Sequence, residues 1–201
     1  IARHYLEAGG SRRALVIGAE TLSKILDWND RGTCVLFGDG AGAAYLEESD
    51  KGIISVVQGS IGKKGMVLNC ESRRTHNIFT EAGIEHDYLH MDGQEVYKFA
   101  VRQCPKCLLE ALEKADMTAD DIDYFVLHQA NVRIIESVAK RLKAPIEKFP
   151  MTLGYTGNMS AASVPVMLDS LVRDGGLKRG DKVAMSAFGA GLTYGAIVLE
   201  W

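Results

Sequence analysis

The sequence is short of cysteine, of proline and of net charge, and long uncharged runs are almost absent. Its four cysteines, Cys34, Cys70, Cys104 and Cys107, stand at irregular spacings among 201 residues, too few and too uneven for the disulfide framework of a small secreted domain. No positively charged and then apolar leader opens the chain, so a cytoplasmic location is expected. With 23 basic against 26 acidic residues the formal net charge is -3. That balance gives no global attraction to nucleic acid or to an acidic membrane surface. Any anionic partner must be met by a local patch. The one long uncharged run, residues 183–199, falls short of the roughly 20 residues of a membrane-spanning helix. Glycine, Ser186 and Thr193 interrupt it, and it reads instead as two buried strands around a glycine turn.

Hydrophobic residues make up 47% of the chain, enough for a core at this length. The chain opens at Ile1 within a helical pattern that includes Tyr5 and Leu6, so it is expected to be a piece of something longer. Apolar runs at 14–20 (ALVIGAE) and 33–48 (TCVLFGDGAGAAYLEE) suit buried strands. Residues 95–115 place Val96, Phe99, Ala100, Cys107, Leu108, Ala111 and Leu112 at helical spacing, with Pro105 an obstacle in the middle. A strand over 124–127, a helix over 131–143 with Ile134, Val138 and Leu142 on one face, and a short strand near 149–153 follow. The loop GYTGN then leads to a further helix, with Ser160 the expected N-cap and Val164, Leu168 and Leu171 its buried face.

One internal echo organises these elements. RGTCVLFGDGAGAAYLE (31–47) and RGDKVAMSAFGAGLTYGAIVLE (179–200) share an Arg-Gly lead, an apolar strand, an F-G-x-G turn and a second strand ending in Leu-Glu. ALVIGAE and YFVLHQA are expected to be equivalent strands preceding them. The pattern predicts an internally duplicated α/β unit whose first copy lacks its beginning, with residues 1–50 in the first half and 51–201 in the second.

Several residues could carry chemistry, each with a plainer alternative. In open α/β sheets ligands bind beyond the carboxyl ends of strands, and His128 stands where the strand over 124–127 ends. An imidazole there can donate a hydrogen bond or shuttle a proton near neutral pH, yet a half-buried, satisfied loop histidine fits the spacing as well. Asn158 in its glycine loop is either functional or an ordinary turn residue. FGDG and FGAG contain neither G-x-G-x-x-G nor G-K-[ST], which disfavours phosphate cradling. Their glycines either bring backbone N–H groups to a ligand or serve strand packing. Cys104-Pro-Lys-Cys107 with His86 and His90 has the composition of a zinc set, but a helical position with one cysteine on the apolar side favours ordinary core. No metal is expected. The helix after His128 carries Arg133, Lys140, Arg141 and Lys143 against Glu136, which is either a solvated face or the seat of an anionic partner.

HQANVRI, GNMSAASVP and AFGAGLTYG, together with LFGDGAGA and MDGQEVYKFAV in the same order, resemble the β-ketoacyl-acyl-carrier-protein synthase III family of the thiolase superfamily. The resemblance spans Tyr5 to Trp201. It implies a duplicated five-layer αβαβα fold, homodimers, no cofactor, and condensation of a short acyl-CoA with malonyl-acyl carrier protein. His128 matches the catalytic histidine and Asn158 the catalytic asparagine, two neutral donors for the enolate left when carbon dioxide departs. Ala190 matches the oxyanion-hole position, where many relatives have glycine. Asn131 and Gly93 match positions lining the pantetheine tunnel, and Arg133 and Lys24 match basic positions at its mouth, met by coenzyme phosphates and the acidic carrier protein. The family's nucleophilic cysteine is expected shortly upstream of Ile1, because none of the four cysteines fits. A catalytically silent partner subunit and a polyketide- or hydroxymethylglutaryl-CoA-type synthase are the competing readings.

Overall fold

A computed structural model describes residues 1–70, 79 and 88–201. Its elements are helix α1 (Ala2–Glu7), strands β1 (Arg13–Glu20), β2 (Gly40–Glu47), β3 (Ile53–Ser60), β4 (Leu68–Asn69) and β5 (His90–Met91), helix α2 (Gly93–Lys114) and strand β6 (Tyr124–Leu127). Helices α3 (Val132–Leu142), α4 (Leu153–Thr156) and α5 (Ser163–Arg173) follow, then strands β7 (Lys182–Gly189) and β8 (Thr193–Glu200).

A four-stranded sheet in the order β3-β8-β7-β6 forms the centre, and only β6 and β7 run parallel in it. Alternation along its strands gives it two apolar faces. Phe125 and Leu127 of β6, with Ala184 and Val198, join Leu108 and Leu112 of α2 and Ile135 and Val138 of α3 on one side. Val126, Val183 and Leu199 meet Met167, Leu168 and Leu171 of α5 on the other. Three layers result, with the sheet in the middle. Phe125 is fully buried and stacks on Phe149, ring centroids 4.6 Å apart. Helix α2 runs past Pro105 as one element and is capped by Asp92, which accepts from the N–H groups of Gln94 and Glu95. Both Cys104 and Cys107 are buried on it, where the helical spacing placed only one on the apolar side.

A second sheet is the antiparallel pair β1–β2, in unbroken register from Arg13 opposite Glu47 to Glu20 opposite Gly40. β7 and β8 make a pair of the same kind, from Lys182 opposite Glu200 to Gly189 opposite Thr193. The duplication therefore differs from its sequence reading. β1 is the counterpart of β7, not of β6, because β6 runs parallel to its neighbour. Residues 33–36, expected as a strand, form turns and leave Val35 66% exposed. The strand that pairs with β2 is β1. β1 is also less buried than its composition suggests, with Leu15 60% and Ile17 61% exposed.

Two further expectations fail for local reasons. No strand forms at 149–153, since Phe149 closes a 3-10 turn and Thr152 gives its N–H to the side chain of Gln129. Ser160 does not cap α5: Ala162 holds that position without a side-chain bond, and Ser160 sits at φ +47° in the 3-10 turn before it. Among the described residues no helix is long and apolar enough to cross a membrane.

Candidate active site

β6 ends its buried run at Leu127, and the chain leaves the sheet with His128. The backbone N–H of His128 donates to the Ser186 carbonyl of β7 at 2.8 Å, extending the parallel ladder by one residue. The residue is 8% exposed, more deeply placed than a loop histidine would be. Its Nδ1 lies 2.6 Å from Ser163 Oγ, and its ring meets that of Phe188 edge-on, centroids 5.2 Å apart. Gln129, fully buried, donates through Nε2 to the Leu127 carbonyl at 2.9 Å and accepts from Thr152 N–H at 3.1 Å. The turn after β6 is thereby tied to the segment before α4.

Burial disfavours the imidazolium, and the pKa of His128 falls from 6.5 to about 4. The ring is neutral at physiological pH. Because the folded value lies below the unfolded one, this contribution to stability is complete above pH 6.5 and is lost as pH falls toward about 4. The full loss is on the order of 3 kcal/mol. His128→Ala in the full-length protein is expected to flatten that part of the stability curve, read by denaturant unfolding at stepped pH. A slope equal to the parent's would show that His128 is not its source.

Asn158 is placed by the first F-G-x-G segment. Its N–H donates to the Leu36 carbonyl at 2.9 Å, and its carbonyl accepts from Gly38 N–H at 3.0 Å. Its side-chain Oδ1 accepts from Ser160 N–H at 2.9 Å. An N–H can only donate, so the amide oxygen faces the turn and the NH2 end is left for a ligand. Ala190 is placed by the second segment, at the corner between β7 and β8. The positive φ there, +128°, falls on Gly191 and not on Ala190, so alanine is accommodated. The two copies of the motif converge: one holds Asn158, the other brings Ala190.

His128, Asn158, Ala190, Asn131 and Gly93 line one cavity of about 810 Å³. Phe37, Met185 and Phe188 are among the apolar residues of its wall, so a few polar groups face largely apolar space. Asn131 also caps α3, its Oδ1 accepting from Arg133 N–H at 2.9 Å. Arg133 lines an adjoining cavity of about 500 Å³ that shares Leu36, Ala130 and Asn131 with the first. Lys24, at the end of the 3-10 turn Leu22–Lys24, lines neither.

Residues 112–201 match the family model described as 3-Oxoacyl-[acyl-carrier-protein (ACP)] synthase III C terminal, and residues 1–65 match its companion, 3-Oxoacyl-[acyl-carrier-protein (ACP)] synthase III. The chain belongs to the synthase III family. A beta-ketoacyl-[acyl-carrier-protein] synthase III of Synechococcus sp. (strain WH7803) is 50% identical over 206 residues, covering 100% of this chain and 61% of the relative. The crystal structure of the synthase III of Thermus thermophilus superposes with a TM-score of 0.90 at 44% identity, covering 100% of this chain and 62% of that one. The priming β-ketosynthase of the R1128 polyketide pathway also reaches a TM-score of 0.90, at 40% identity over 99% of this chain and 60% of that one. The fold is thus thiolase-like α/β, and the chain spans about three fifths of the length of the relatives it matches.

The cysteines of this synthase III chain divide by environment. Burial pushes the Cys104 thiol up to about 12 and raises Cys107 as well, so neither offers a ready thiolate to a metal or substrate. His86 of the zinc reading lies outside the described residues. Cys70 lines the larger cavity, a position its sequence context did not suggest. Ser163 and Gln129 also went unnoticed at the level of sequence. For Ser163 the available signal was a lone hydroxyl where α5 opens, within the apolar stretch AASVPVML.

Proposed function

We propose that this chain forms the larger part of an enzyme that condenses a short acyl-CoA with malonyl-acyl carrier protein, yielding 3-oxoacyl-acyl carrier protein, coenzyme A and carbon dioxide. The observation that carries the reading is the meeting of two neutral side chains, His128 and Asn158, with the Ala190 corner on one largely apolar cavity. In the first half-reaction a cysteine thiolate attacks the acyl-CoA carbonyl and expels the coenzyme thiolate, the backbone N–H of Ala190 serving the tetrahedral oxyanion. In the second, the bond between the malonyl carboxylate and its α-carbon breaks. The electron pair forms an enolate, then bonds to the acyl carbon and releases the cysteine. Donors from His128 and Asn158 aimed at the thioester oxygen stabilise that enolate, and poorly hydrated surroundings strengthen them. No cofactor takes part.

The thiol itself is assigned to a residue shortly upstream of Ile1, at the start of the helix that ends in α1, where a helix N-terminus would lower its pKa. Cys70 is the rival within the chain, because it lines the cavity. Incubating the full-length protein with acetyl-CoA and mapping the acylated residue by mass spectrometry decides between them. The label is expected on the upstream cysteine and to persist in Cys70→Ser. Serine, alanine or glutamine at the upstream position would defeat this assignment and favour a silent partner subunit, although such a subunit has no chemical need of His128 and Asn158.

Residues 1–50 and 51–201 are assigned to the two thiolase-like halves, in line with the separate sheets they contribute. A cytoplasmic homodimer is the proposed assembly, as the family resemblance implies. Asn131 and Gly93 would flank the pantetheine arm, and Lys24, off both cavities, would contact coenzyme phosphates farther out. Arg133 and Lys140 are exposed on α3 and suit an acidic carrier protein. Arg133→Glu is expected to raise the KM for malonyl-acyl carrier protein about tenfold while kcat changes little. An unchanged KM removes α3 from docking.

A further inference from the structure

Ser163 opens α5 and is fully buried. Three groups converge on its Oγ: His128 Nδ1 at 2.6 Å, the Ser160 carbonyl at 2.9 Å and the Gln129 N–H at 3.3 Å. The amide can only donate and the carbonyl can only accept, so the one hydroxyl proton goes either to the imidazole or to Ser160. Two observations decide. The Ser160 carbonyl already accepts the backbone N–H of Ser163 and needs no second donor. The separation from Nδ1, 2.6 Å, is shorter than the 2.9 Å to the Ser160 carbonyl and lies below the range of about 2.7–3.2 Å for bonds that an N–H group donates to oxygen. The hydroxyl is the donor and the ring nitrogen the acceptor.

We infer that Ser163 is a positioning residue that fixes the tautomer of His128, donating to Nδ1 and so keeping the ring proton on Nε2. Among the described residues no buried side-chain nitrogen or oxygen lacks a hydrogen-bond partner. Nδ1 is the ring nitrogen engaged by Ser163, so Nε2 is the one left accessible from the cavity that His128 lines. Gln129 N–H, bonded into the hydroxyl lone pair, helps to aim its proton at the ring. A donor rather than a lone pair then faces the substrate. The catalytic meaning of this arrangement rests on the proposed condensation, whereas the tautomer itself does not.

The test is long-range ¹H–¹⁵N correlation on the full-length protein labelled with ¹⁵N in histidine, at neutral pH. His128 is expected as the Nε2-protonated form in the parent, as a mixture of tautomers in Ser163→Ala, and again as the Nε2-protonated form in Ser163→Thr, which keeps a hydroxyl. A parent protonated on Nδ1 overturns the inference, and so does a Ser163→Ala spectrum identical to the parent's. Should the alanine variant fail to fold, the parent and threonine spectra decide. Ser163→Ala is further expected to slow malonyl decarboxylation about tenfold, the scale of one hydrogen bond. A shifted tautomer with undiminished decarboxylation would uphold the control by Ser163 and discard instead the role given to His128 in the reaction.

Discussion

His128→Ala in the full-length protein is expected to take an acyl group from coenzyme A and then to stop. The first half-reaction needs a thiolate and a backbone donor, neither of which alanine at position 128 removes. The second, in the proposed reaction, would create an enolate next to a ring that is 8% exposed and neutral, so the lost donor would be one whose strength depends on exclusion of water. Removing a single preorganised donor of this kind costs about 10²–10³ in rate. Mass spectrometry of the intact protein should show the acyl adduct forming, while carbon dioxide release from malonyl-acyl carrier protein falls by that factor. Condensation at the parent rate would take His128 out of the mechanism. Asn158→Ala should resemble it, and the double variant should be little worse than either, since both donors serve one oxygen.

Gly38→Ala should reach the same chemistry from outside the cavity. Gly38 donates to the Asn158 carbonyl at 3.0 Å, and a Cβ added to it would run into the carbonyl oxygen of Thr156, a backbone atom with no side-chain freedom to yield. The loop from Thr156 to Asn158 must move, and displacement of a catalytic group by about 1 Å costs on the order of 10²-fold. Overpacking of this kind also destabilises by about 1–3 kcal/mol. Condensation should therefore collapse while acyl transfer declines far less, and unfolding should come at lower denaturant. Parent-like condensation would mean that the F-G-x-G clamp does not position Asn158.

The sequence exposed some parts of this molecule and concealed others for identifiable reasons. Helix α3 was legible from Ile134, Val138 and Leu142, because helical periodicity is a local property. The end of β6 and the loop around Asn158 were legible for the same reason. Residues 33–36 were not. A short apolar run becomes a strand only through its pairing and packing context, and the strand that pairs with β2 is β1. The echo was real but misaligned: 31–47 and 179–200 look alike, yet the true counterpart of β7 lies before the turn segment, at β1. Ser163 was hidden because its value comes from meeting His128 across a sequence separation of 35 residues.

The small sheet meets the loop of Asn158 through glycines. A side chain at Gly18 would strike the Ala161 carbonyl, one at Gly40 the sulfur of Met159, and one at Gly42 would lie 3.0 Å from Pro165. At Gly18 the neighbour is backbone, which has no rotamer with which to yield. The β1–β2 pair and the loop are therefore expected to loosen together, so that a mutation that loosens β1–β2 should disturb the site as well.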